Sequence, residues 1–191
     1  MRNFFSYLLL ICSTELLAGV MGQDLADTAK AQIGVTLHYD SRYQKLAYPG
    51  GDVPLDRGVC TDVIIRAYRK FGIDLQVLVH QDMVKAWNQY PHLWSLKSTD
   101  KNIDHRRVPN LATFFKRRGQ SLPVSNEPKA FLPGDIVTWQ LPSGVPHIGL
   151  VSNERSKAGV SLIIHNIGGG TLLEDRLFEF KITGHYRYPK H

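Results

Sequence analysis

A cysteine and two histidines are the residues of this chain best placed to do covalent chemistry together. Cys60 lies in "GVCTDVIIRAYRKFG", where Cys60, Val63, Ile64, Ala67 and Phe71 recur at helical spacing and Gly72 stands where a helix would end. The spacing predicts a helix with Cys60 in its first turn, on the core-facing stripe. A thiol there sits near the positive end of the helix dipole, which favours thiolate and is expected to lower the thiol pKa. To act on an acyl group it needs a base, normally His, and a third group to orient that base. His147 opens the run "HIGLVSN" and His165 closes "SLIIH", with the polar "NERSKAG" between them. If these runs form an antiparallel hairpin that pairs His147 with His165, the two rings are cross-strand neighbours. Gly149, Val151, Ser161 and Ile163 then share their face, and a slip by one residue would turn one ring away. A histidine at a strand end is also often just a satisfied polar residue. Zinc ligation by Cys60, His147 and His165 is a lesser alternative, since no Cys-x-x-Cys or His-x-x-x-His spacing accompanies them.

The case for a reactive cysteine depends on how many cysteines the working protein keeps. The chain opens "MRNFFSYLLLICSTELLAGVMGQD", with one charge at Arg2, an apolar run from Phe4 to Cys12 and a small-residue segment ending near Gly22. That is the pattern of a secretory signal peptide over residues 1–22. Ser13, Thr14 and Glu15 interrupt the run well short of the roughly 20 apolar residues a membrane anchor needs. Ile11 before Cys12 does not fit a lipidation signal. Cleavage would remove Cys12 and leave Cys60 as the single thiol, unable to form an internal disulfide. Exported proteins tend to pair their cysteines or lose them, so a lone one is either a small buried hydrophobe or a reactive group.

The remaining 23–191 segment is expected to be a single domain, because 43% of the chain is hydrophobic and one core can form without metals or disulfides. No cofactor is implied. The formal charge of +6 is unchanged by losing Arg2 and Glu15 together. Such a protein could be drawn to anionic envelope polymers, though scattered solvated lysines also explain the charge. No stretch interleaves basic and exposed aromatic residues as a nucleic-acid module would.

The elements that must position these residues read as helices first and strands second. "DLADTAKAQIG" suits a short helix, and residues 35–58 show no sustained period. "QVLVHQDMVKAWNQYP" suits a helix stopped by Pro91, and Asn110 to Gly119 suits another, capped by Asn110 and closed by Gly119. Strands follow in "DIVTWQL", "HIGLVSN", "SLIIH", "RLFEF" and "HYRY". That order predicts an α+β domain with an antiparallel sheet.

The same order of elements resembles the NlpC-type cell-wall cysteine peptidases of the papain-like superfamily, over roughly residues 39–166. They too have a cysteine at a helix start, then "PGDIVTW", then "HIGLV", then a polar residue on the next strand. The fuller pattern "YPGGD…GVCTDVIIRAYR…DHRRVPN…PGDIVTW…HIG…HNIGGG" resembles a family of exported bacterial proteins catalogued as a domain of unknown function. The resemblance implies a papain-like fold, N-terminal helices packed on a C-terminal antiparallel sheet. It further implies Cys60 as nucleophile, His147 as base and later acid, His165 as the orienting residue, and Tyr39 or Tyr48 lining the cleft. One departure is plain: NlpC-type enzymes usually carry Asp-Cys-Ser-Gly, where this chain has Val59-Cys60-Thr61-Asp62.

Asp62 then either complements the helix dipole or meets a substrate amine in the cleft. Arg106 and Arg107 either fork onto a substrate carboxylate or pair with Asp104 in a solvated loop. The glycine-rich "HNIGGGT" lacks a phosphate-loop lysine and reads as a turn. The function implied is an exported thiol hydrolase, an endopeptidase or amidase acting on peptidoglycan peptides in the periplasm or outside the cell. An acyltransferase with the same three residues, or an inactive wall-binding module, are the alternatives. Asn166 and Asp135 are the next candidates for the orienting role should His165 not fill it.

Overall fold

A computed structural model describes residues 21–94 and 96–189. Cys12 and nearly all of the signal-peptide segment lie outside the described residues.

Helix α1 (residues 21–30) docks through Leu25, Ala26 and Ala29, and leads into the predicted irregular segment. Within that segment β1 (His38–Tyr39) pairs in parallel with β2 (Arg57–Gly58). Helix α2 (Cys60–Arg69) is buried from Cys60 to Tyr68, so its polar residues need partners as well as its apolar ones. Arg66 shows how this orders the loop. Its guanidinium donates to Asp52, to Thr36 Oγ1 and to the carbonyls of Val53, Pro54 and Arg57, tying the irregular segment to the helix. Phe71 lies beyond the helix end and is exposed, and the chain reverses there through Gly72 at φ 74°. Cys60, Val63, Ile64 and Ala67 are in the core as the spacing predicts.

Helix α3 (Leu75–Lys85) is capped by the Asp74 side chain, which accepts from the Gln76 N–H. A 3₁₀ turn over Trp87–Gln89 precedes Pro91. A second 3₁₀ turn, Asp104–Arg106, leads into α4 (Val108–Arg118). The cap of this helix lies three residues earlier than expected. Arg107 holds the cap position, and Asn110 lies buried in the first turn with its amide donating to the Asp104 carbonyl at 3.0 Å. Pro109, which needs no N–H partner in a first turn, permits the earlier start. Gly119 closes the helix in an extended conformation, where a Cβ would meet the Arg187 carbonyl oxygen at 2.6 Å.

The remaining chain forms β3 (Gln120–Leu122), β4 (Ile136–Gln140), β5 (Pro146–Arg155), β6 (Ser161–His165), β7 (Leu172–Glu174) and β8 (Lys181–Arg187). They make one antiparallel sheet in the order β3-β8-β4-β5-β6-β7. One face, with Ile136, Ile148, Leu150 and Ile164, packs on the helices. The other, with Val137, Trp139, Val151 and Ile163, is covered by Phe131 and by Leu177, Phe178 and Phe180. "RLFEF" is therefore a turn and not a strand: its apolar residues cap the sheet's outer face, and the Trp139 indole donates to the Leu177 carbonyl at 2.9 Å. The architecture is α+β, helices first and antiparallel sheet second, as the order of elements in the sequence predicts.

Candidate active site

The α2 N-terminus abuts the sheet where β6 has ended and β5 runs on. Cys60 is 4% exposed, and its thiol is approached by the backbone N–H groups of Ile148, Thr61 and Cys60 itself. Burial nevertheless pushes the thiol up to about 12, outweighing those donors. The lowered thiol pKa expected from the helix dipole is thus corrected: a first-turn position is not enough when the sulfur is fully desolvated.

His147 precedes Ile148 on β5. The rings of His147 and His165 meet, with Nε2 of the first 2.7 Å from Nδ1 of the second. Their pairing differs from the assumed one. Leu150 faces Ile164 and Val151 faces Ile163, so continuing the register sets His165 opposite Gly149 rather than His147. The offset is an even number of residues, which keeps both rings on the same face. They meet diagonally because Gly149 has no side chain to intervene: a Cβ there would lie 3.2 Å from His165 Cβ and 2.6 Å from Ile163 Cγ2.

The row continues onto β7. His165 Nε2 lies 3.0 Å from Glu174 Oε2, and Arg176 Nε holds the other carboxylate oxygen at 3.1 Å. A carboxylate only accepts, so His165 carries its proton on Nε2 and accepts at Nδ1. His147 therefore donates from Nε2, which leaves Nδ1 bare as the basic atom. Burial, and the cost of a second positive charge beside His165 and Arg176, lower His147 to about 3 and keep it neutral. Burial also lowers His165, against the pull of Glu174. Glu174 was not among the expected residues, since "LLE" is too short to carry a strand signal.

A cleft of about 320 Å³ opens beside Cys60, walled by Tyr39, Trp94, Arg106, Arg107 and Pro146. Tyr39 lines it. Tyr48 does not: it packs edge-on against His80 at 5.6 Å, with Lys101 over its ring. Asp62 follows the first of its two expectations, a carboxylate in the first turn of α2, whereas Arg106 pairs with Asp62 and not with Asp104, and both side chains are buried. Arg106 grips Asp62 with two bonds of 2.9 Å, and Asp62 Oδ2 also accepts the Val59 N–H at 2.7 Å, closing the first turn of α2. Asp104 instead accepts the Asp100 N–H, and burial raises it to about 6. Asn166 ties to the Gly58 carbonyl and Asp135 to His185 and Arg187. Among the described residues no three His, Cys, Asp or Glu side chains are grouped to hold a metal ion, and no helix is long and apolar enough to cross a membrane.

Comparison with known proteins adds the following. Uncharacterized protein YijF of Escherichia coli (strain K12) is 54% identical over 164 residues, 86% of this chain and 80% of that one. Among solved structures, NlpC1 from Trichomonas vaginalis is similar at TM-score 0.47 and 16% identity, covering 87% of this chain but only 44% of that chain. This chain thus spans less than half of that protein's length. An N-acetylmuramoyl-L-alanine amidase from Bacteroides uniformis is similar at TM-score 0.45 and 12% identity, covering 88% of this chain and 99% of that one. The family model described as a domain of unknown function matches residues 26–188, a span that holds Cys60, the His147–His165–Glu174 row and the whole sheet. The chain belongs to the DUF1287 family.

Proposed function

We propose that this chain is an exported thiol hydrolase that cleaves an amide bond in peptidoglycan peptides. One observation carries the reading: the Cys60 thiol is faced by the N–H of Ile148, the residue that follows His147, and His147 heads the hydrogen-bonded row His147–His165–Glu174. The cell-wall substrate is supported by the NlpC-like order of motifs and by the signal-like first 22 residues.

Both reacting groups rest neutral, so proton transfer accompanies attack. Cys60 Sγ bonds to the carbonyl carbon as its proton passes to His147 Nδ1. The C–N bond then breaks and His147 returns that proton to the leaving amine. Water, deprotonated by the same nitrogen, attacks the thioester; the C–S bond breaks and sulfur regains a proton. The Cys60 N–H and the Tyr39 hydroxyl are the donors for the oxyanion. Burial and the neighbouring Cys60 hold that hydroxyl at about 12, so it stays protonated. The Glu174 carboxylate fixes the tautomers along the row, as the third member of a triad does.

Digestion of purified peptidoglycan by wild type and by Cys60→Ala, with mass analysis of the fragments, tests the reading. New amine and carboxyl ends from wild type alone support it. Equal products from a folded Cys60→Ala protein would remove the mechanism.

A further inference from the structure

The two arginines of "DHRRVPN" have different fates. Arg106 is neutralised by Asp62, whereas Arg107 is half-buried and forms no ion pair within 4.0 Å among the described residues. Its Nη1 is enclosed and has no hydrogen-bond partner among the described residues. Asp100 and Asp104, the acidic groups of the preceding turn, feel its charge without bonding it. The central carbon of the guanidinium lies over the Trp94 ring, 4.9 Å from its centre. Trp94 is the one described non-glycine residue with positive φ, 57°, a conformation that side chains avoid and that recurs at ligand clamps. Arg107 and Trp94 wall the same cleft as Cys60 and Tyr39.

We propose that Arg107, braced by Trp94, is the anchor for a free carboxylate of the substrate, next to the amide that Cys60 attacks. A planar guanidinium fork with no ion pair of its own, on the wall of a partly dried cleft, matches a carboxylate and discriminates against its neutral amide. The proposal rests on the reading of Cys60 as nucleophile and adds a substrate class to it: peptides with an ionised carboxyl flanking the scissile bond.

Binding to the full chain carrying Cys60→Ala separates the subsite from catalysis. The probes are L-Ala-γ-D-Glu-L-Lys and its isoglutamine counterpart, identical except that the free carboxylate is a carboxamide, measured by titration calorimetry. The carboxylate peptide is expected to bind at least about tenfold tighter, as a charge-assisted pair in a partly buried site implies. Adding Arg107→Gln should bring the two within about twofold, with Arg107→Lys in between. Trp94→Leu, at an exposed position that leaves α4 untouched, should cut the preference by about threefold or more. Equal binding of the two peptides, no binding of the carboxylate peptide, or an undiminished preference in Arg107→Gln or Trp94→Leu would overturn the subsite. A wild-type chain that discriminates but never cleaves would sink the hydrolase reading and leave the subsite standing.

Discussion

Gly149 makes room for His165. Facing it across β5 and β6, the glycine leaves the space through which the His165 ring leans back to reach His147. An alanine there would put its Cβ 2.6 Å from Ile163 Cγ2 and 3.2 Å from His165 Cβ, and neither can withdraw inside a packed sheet. Gly149→Ala is expected to lose about 1–3 kcal/mol of stability through overpacking. Activity should fall about tenfold or more, because a displaced His165 no longer holds His147. Urea unfolding and kcat/KM, measured on the same preparation, check both. Full activity at reduced stability would mean that His165 does not need its observed position.

The row predicts a graded series. His147→Ala should remove nearly all turnover, about a thousandfold or more, since it deletes the base. His165→Asn or His165→Gln should keep measurable activity, because an amide oxygen can still accept the His147 Nε2 proton. His165→Ala should lose more. Glu174→Ala, which frees the His165 tautomer without touching His147, should cost about 10- to 100-fold in kcat. If His165→Ala and Glu174→Ala both turn over like wild type, the row is a structural feature only.

Much of this was legible from the sequence, and the parts that were not have definite causes. Helical spacing placed Cys60 at a helix start because α2 has a strong apolar stripe, and "HIGLVSN" and "SLIIH" are long enough to read as strands. Their register was not legible, since it is set by the β-bulge between Val151 and Arg155 and by what Gly149 leaves empty. Glu174 escaped because β7 is three residues long and is specified by its partner β6. The Asp62–Arg106 pair joins residues 44 apart, and no local pattern announces it. The thiol pKa departs from the dipole expectation for a related reason: the dipole is a local property, whereas burial is a tertiary one.

The buried histidines set an acid limit. Burial holds His147 at about 3 and His105 at about 4, whereas each titrates near 6.5 when unfolded. Below about pH 6.5 the unfolded chain therefore binds more protons, and stability falls with pH down to about 3. Asp104, raised to about 6, opposes this between about 6 and 4, where the folded chain takes its proton first. Urea unfolding at several pH values should show a net decline, less steep in His147→Gln. Correspondingly, kcat/KM should keep its plateau well below pH 6.5, because His147 stays a neutral base. A limb at 6.5 would place that ring in water.

Cys60 should alkylate as a desolvated thiol. With the sulfur pushed up to about 12, the iodoacetamide rate should keep climbing beyond the ordinary thiol value of about 8.5. A plateau below that value would show a preformed thiolate, and with it an ion pair between Cys60 and His147 in place of the neutral resting pair. Mass mapping of the labelled residue keeps the measurement specific to Cys60.

Asp62 and Arg106 should behave as one unit. Their side chains are 4% and 2% exposed, and the pair joins the first turn of α2 to the turn ahead of α4 directly beneath the cleft. Removing either partner strands the other charge out of water, which costs about 3–5 kcal/mol, whereas replacing both removes the stranded charge as well. Asp62→Asn alone and Arg106→Leu alone should each lose stability of that order in urea unfolding. Asp62→Asn keeps an oxygen to accept the Val59 N–H, so its loss reports the ion pair more than the cap. The double variant should lose less than the sum of the two, with a coupling of about 1–3 kcal/mol. Strict additivity would show that the two charges are independently solvated. If Arg106→Leu also leaves Arg107-dependent carboxylate binding intact in the Cys60→Ala background, the roles divide cleanly: Arg106 holds the cleft's shape, and its neighbour meets the ligand.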